Sequence, residues 1–247
     1  MKKVFLLAIS VALLLSVVGC GNTEAPLPEA IVNPVIDDKQ SSAESTLPGD
    51  ETGISLSAEE LEYFQKYTEA VRTEYVEERG VEVTSATEIS CFFTSLYNDI
   101  SEMNFEEFMY YFPEDADNPV YTTELEFEAL KSVEGWPFTE AKSIDEIPVS
   151  IHKHPRSRVD AVLTKYAGIT TAELNTTGVA YLKEYDAFYT YTSDFGAGIF
   201  IPCSGEKNGD IVTLWEEPAG YDGSISVLML QKSGEEWHIL SHNICYK

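Results

Sequence analysis

Gly205-Glu206-Lys207-Asn208-Gly209-Asp210-Ile211-Val212-Thr213-Leu214-Trp215 is the stretch on which the fold turns. Asn-Gly between two extended runs is the strongest short-range hairpin signal, because both central turn residues need positive φ. Working outward, residues 185–192 alternate, with Tyr185, Ala187, Tyr189 and Tyr191 on one face. Residues 194–198 read as a turn and 199–203 as extended. Downstream, Asp222-Gly223 and Ser233-Gly234 punctuate the apolar runs 225–231 and 237–244. Strands at this spacing, joined by tight turns, predict an antiparallel meander of about five strands. Leu228 and Leu230 face away from Ile225, Val227 and Met229, so one strand is apolar on both sides. Such a sheet needs a cover, and the first half of the chain offers helices for it.

Ser57-Ala58-Glu59-Glu60 has the form of a capping box. Leu61, Phe64, Thr68, Val71 and Tyr75 then recur at helical spacing up to Gly80, which predicts one amphipathic helix over 58–79. In 81–121 the period does not separate strand from helix, although Asn104 reads as the cap of a short helix ending before Pro113. Thr123-x-x-Glu126 is a second capping box, opening a helix stopped by Gly135. His152-Lys153-His154-Pro155 reads as a solvated segment leading into a helix over 156–166. The expected class is α+β: N-terminal helices packed on the C-terminal meander, in one domain spanning 57–247.

The chain begins with a different grammar. Lys2 and Lys3 precede an almost wholly apolar run, 4–18, which closes on Val17-Val18-Gly19-Cys20. A charged start, a short apolar run and a small residue before the cut describe a secretory signal peptide. The closing tetrapeptide resembles the lipobox of bacterial lipoproteins, whose cysteine becomes the first mature residue and carries lipid. That implies a leader over 1–19 and a lipid on Cys20. Residues 20–56 hold four prolines, seven acids and Lys39 as the one base, which suits a disordered tether.

The full chain has 247 residues and a formal charge of −26, and loss of 1–19, with its two lysines, takes it to −28. Phosphate-rich nucleic acid and anionic lipid would be repelled by such a surface. With 44% hydrophobic and 12% aromatic residues, the chain has material for a packed core.

Chemical signatures are sparse. Asp115-Ala116-Asp117-Asn118 imitates a calcium loop, but Pro119 and Val120 occupy the positions of the fifth ligand and the turn glycine. His152 and His154 share a strand face and are candidate metal ligands without a third partner. No cofactor motif is present. Cys91, Cys203 and Cys245 form no CxxC pair and read as reduced thiols. Lys153, Arg156 and Arg158 make a local basic patch.

Several blocks resemble uncharacterised lipoproteins of Gram-positive anaerobic bacteria. They include Phe93-Thr94-Ser95-Leu96-Tyr97, Asn104-Phe105-Glu106-Glu107-Phe108, Tyr166-Ala167-Gly168-Ile169-Thr170, Tyr181-Leu182-Lys183-Glu184-Tyr185 and Leu240-Ser241-His242-Asn243. The resemblance implies a shared fold on a lipid anchor at the outer face of the cell membrane. It transfers no catalytic residue. The expected role is a noncatalytic binding or interaction module of the cell envelope, with a peptide, glycan or envelope protein as ligand. Tyr185, Asp186, Tyr189, Tyr191 and Asp194 are its candidate binding residues. The alternative is an envelope hydrolase using Asp186, Asp194 or a histidine.

Overall fold

The structure is a computed structural model that describes residues 53–246, except 78–79, 116–117, 193–195 and 219–222. Cys20, the leader, Asp194 and the tether up to residue 52 lie outside the described residues. What is described belongs to one compact unit, Glu44–Lys247.

The chain opens with β1 (Ile54–Ser55), α1 (Ala58–Tyr67), β2 (Val71–Val76) and β3 (Val81–Ala86). A 3-10 segment over Glu88–Phe93 leads to α2 (Phe105–Tyr110) and α3 (Glu124–Leu130). Then come β4 (Ile151–Pro155), α4 (Arg156–Ala167), β5 (Ala180–Leu182) and β6 (Ala187–Tyr191). The chain finishes with β7 (Ser204–Asn208), β8 (Ile211–Trp215), β9 (Ser224–Ser233) and β10 (Glu236–Tyr246).

These strands correct the α+β expectation of N-terminal helices on a C-terminal meander. The architecture is mostly β, with ten strands in three antiparallel sheets among the described residues. One sheet has the order β1-β7-β8-β9-β10, the second is the hairpin β2-β3, and the third is β4-β6-β5. The alternating run that became β6 therefore leaves the meander. It pairs instead with β4, His152 lying opposite Thr190 and Lys153 opposite Tyr189. Residues 199–202 form no strand, and the edge place is taken by β1, pairing Ile54 with Lys207.

The long helix expected over 58–79 also fails, and its ending has a local cause. Ser57 and Glu60 form the capping box as read. At Thr68 the hydroxyl donates back to the Phe64 carbonyl at 2.9 Å, and the helix closes. Val71, Tyr75, Val81 and Val83 then pair as a hairpin, where β-branched and aromatic side chains are at home. Gly80 turns that hairpin at φ +63°. Its helical spacing with Phe64 was a coincidence of period.

Two apolar clusters hold the unit together. The larger gathers Phe92, Phe108, Leu163, Leu214 and Leu228 between the five-stranded sheet and α1, α2 and α4. The smaller joins Leu130, Trp136, Leu182, Ala187 and Tyr189 on one face of the three-stranded sheet. The described residues include no helix long and apolar enough to cross a membrane.

Candidate functional site

Strand alternation on β4 and β6 sorts the candidate residues. Lys153, Tyr189 and Tyr191 belong to the face carrying the smaller cluster, and His152, His154 and Thr190 to the other. Where the second face meets α2 and β3, a cleft of about 520 Å³ opens. Tyr110, Tyr111, Glu114, His152, Thr190 and Thr192 are among its walls. A Cβ on Gly196 would collide with the Tyr111 ring, so a larger residue there would displace the ring from that wall.

His152 is fixed at both nitrogens. Nδ1 lies 2.6 Å from a Glu114 carboxylate oxygen, and Nε2 lies 3.0 Å from the Thr192 carbonyl oxygen. His154, 1% exposed, has Nε2 3.2 Å from the Thr190 hydroxyl, and its Nδ1 has no hydrogen-bond partner among the described residues. Burial, helped by the Arg158 and His152 charges, pushes His154 down to about 3, so its imidazole is neutral. The two rings stack with centroids 6.4 Å apart rather than converging on a point. No group of three or more His, Cys, Asp or Glu among the described residues is arranged to hold a metal ion.

Across the sheet, Glu126 is 1% exposed yet charged. Its carboxylate accepts the Tyr189 hydroxyl at 2.7 Å and the Lys153 ammonium at 2.5 Å. The Thr123 amide donates to it at 2.8 Å. Burial pushes this carboxyl up, but those hydrogen bonds, Lys153 foremost, outweigh it and hold it at about 2. Tyr189 is therefore a core residue satisfied by an acid, and Lys153 has its counter-ion inside. The rest of the basic patch is likewise engaged: Arg156 lies 3.4 Å from Asp160, and Arg158 donates to the Pro113 carbonyl at 2.5 Å.

The other candidate ligand residues scatter. Tyr185 is exposed in the β5–β6 turn, with the Lys153 ammonium 5.7 Å from its ring centre. Asp186 adopts φ +46° in that turn, a left-handed conformation that aspartate tolerates. It accepts the Tyr181 hydroxyl at 2.5 Å. Tyr191 packs edge-on against Trp136 and Phe138, at 5.4 and 5.1 Å between centroids. Together Trp136, Tyr191, Tyr189 and Tyr110 line a second groove of about 350 Å³, which shares Tyr110 and Thr190 with the first cleft.

A general base needs a nitrogen or oxygen in reach of the proton it takes. Both ring nitrogens of His152 already face protein oxygens. The Cys91 thiol is buried and pushed up to about 12, so it is no nucleophile at neutral pH. His242 lies in the core, with Nδ1 2.8 Å from the Ser95 carbonyl and Nε2 3.1 Å from the Ser226 hydroxyl.

Sequence reasoning missed Tyr110, Glu114 and Trp136. Tyr110 and Glu114 flank the end of α2 and Trp136 follows α3, and no local pattern links them to β4 and β6. Comparison with family models, curated proteins and solved structures finds no match for this chain.

Proposed function

We propose that this chain is a membrane-anchored extracytoplasmic lipoprotein whose folded unit is a noncatalytic binding module of the cell envelope. The anchor reading is supported by the leader and by Val17-Val18-Gly19-Cys20. One observation favours binding over hydrolysis. Of the ionisable side chains that the hydrolase alternative would use, His152 and Asp186 are each tied to a partner within the protein, His154 is buried, and Asp194 lies outside the described residues. Two adjoining grooves present aromatic rings, hydroxyls and carboxylates, the surface that peptide or glycan partners engage.

The test is fatty-acid labelling of the full chain in a bacterial host. Wild type should take up labelled palmitate and fractionate with membranes. Cys20→Ala should lose the label and remain uncut or be released. Labelling that survives the substitution rules the lipid anchor out.

A further inference from the structure

The groove of about 350 Å³ lies where β6 runs past the start of β5, since Ala180 pairs with Tyr189 and nothing in β5 pairs with Thr190 or Tyr191. Four rings, Tyr110, Trp136, Tyr189 and Tyr191, wall it. Two carboxylates line it, Glu106 from α2 and Glu134 from the turn after α3. None of its lining residues is basic. Neither carboxylate has an ion-pair or hydrogen-bond partner among the described residues, whereas Glu114 in the neighbouring cleft is paired.

Glu106 is also positioned. Gly178, at φ +100°, lets its carboxylate approach to 2.9 Å from where a Cβ would sit. The nearby cations, Lys153, Arg156 and Arg158, are held by Glu126, Asp160 and Asp115. Among the described residues that line the groove, none supplies a cation.

We infer that the groove is a binding site for an aliphatic ammonium group, as carried by a polyamine or by a lysine side chain in a peptide. Carboxylates supply the charge, and ring faces attract a cation while packing on its methylenes. The inference deepens the binding-module reading by naming the ligand chemistry. It does not depend on the lipid anchor. Trp136 is 5% exposed, and its Nε1 is buried with no hydrogen-bond partner among the described residues. The relative affinities of cadaverine and N-acetyl-lysine amide tell the two sources apart.

The test is calorimetric titration of the full chain in detergent with cadaverine, N-acetyl-lysine amide, 1,5-pentanediol and a chito-oligosaccharide. Both amines should bind at one site and compete. The diol should not bind, and raising the salt should weaken the amines several-fold. The double variant E106Q/E134Q should bind amines at least tenfold more weakly with an unchanged melting temperature. E102Q/E235Q, which removes as much charge from exposed positions elsewhere, should bind as wild type does. Amine affinity unchanged in E106Q/E134Q, lost equally in E102Q/E235Q, or matched by the diol overturns the ammonium site. Oligosaccharide binding without amine binding overturns it too, but leaves the binding module standing. No binding of any probe overturns the site and withdraws support from the module.

Discussion

Glu126 shows how one side chain can hold two levels of structure. One oxygen closes the capping box of α3 and the other joins Lys153 on β4 to Tyr189 on β6. Removing one partner of a buried ion pair leaves the other charge uncompensated. Glu126→Gln should therefore cost about 3 kcal/mol in urea unfolding at neutral pH. Its pH dependence has a definite sign. The folded carboxyl titrates at about 2 against an ordinary 4.5, so its contribution is complete above 4.5 and fades as pH falls towards 2. The gap between wild type and variant should close over that window. A constant gap would mean the pair contributes packing and no charge. Thr123-x-x-Glu126 was legible from sequence as a cap, but its second role was not. The partners that give it that role lie 27 and 63 residues downstream.

At the scale of elements, local chemistry was readable and pairing was not. Both capping boxes and the Asn104 cap form where their residues dictate, while the hairpin signalled by Asn208-Gly209 turns one residue later, over Gly209-Asp210, with Asn208 still paired to Ile211. The 156–166 helix ends one residue later than read, at Ala167, with Gly168 in the left-handed region as its stop. What sequence did not reveal is which strand lies beside which. Nothing in residues 187–191 announces that the neighbour is Ile151–Pro155 rather than the next strand along. Nor does the spacing of Thr68, Val71 and Tyr75 distinguish a continuing helix from one face of a hairpin. That hairpin, β2-β3, has most of its side chains in solvent, and an isolated two-stranded ribbon is marginal in water. Its amides should exchange with deuterium well before those of Leu228 and Ile239, which lie in the buried middle of β9 and β10. Equal protection would show that the hairpin is sealed by contacts of its own.

Over the whole molecule, sheet order governs what the cysteines can do. The Cys203 amide donates to Trp215 on β8, Trp215 pairs with Val227 on β9, and Val227 with Asn243 on β10. Cys245 is two residues beyond, so strands β8 and β9 separate the two thiols. At ~4.8 Å per strand that is roughly 14 Å, twice the Cα reach of a disulfide. Alkylating the unfolded protein without reductant should add labels to Cys91, Cys203 and Cys245 alike. A label on Cys91 alone would mean a Cys203–Cys245 bridge and so require a different sheet order. The sites follow the same logic of assembly. Tyr110, Glu114, Trp136 and Thr190 become neighbours only when α2, the α3 turn and β6 are docked, so neither groove has a sequence signature.

The two-residue strand β1 has a mechanical consequence. It sits at the sheet edge, held by the register of Ile54 with Lys207 and Ser55 with Glu206 and by the Leu56 amide on the Gly205 carbonyl at 2.9 Å. Tension arriving from the N-terminal side of Gly53 meets this strand first. Because β1 is the outermost strand, its few bonds can be peeled in succession rather than sheared all at once. Yielding there lengthens the chain by about 10 Å, at some 3.4 Å per residue, before α1 and its Phe64 contact with Trp237 feel any pull. Neither groove draws a wall from β1. The strand acts as a strain relief, so a pull from the N-terminal side need not disturb either groove.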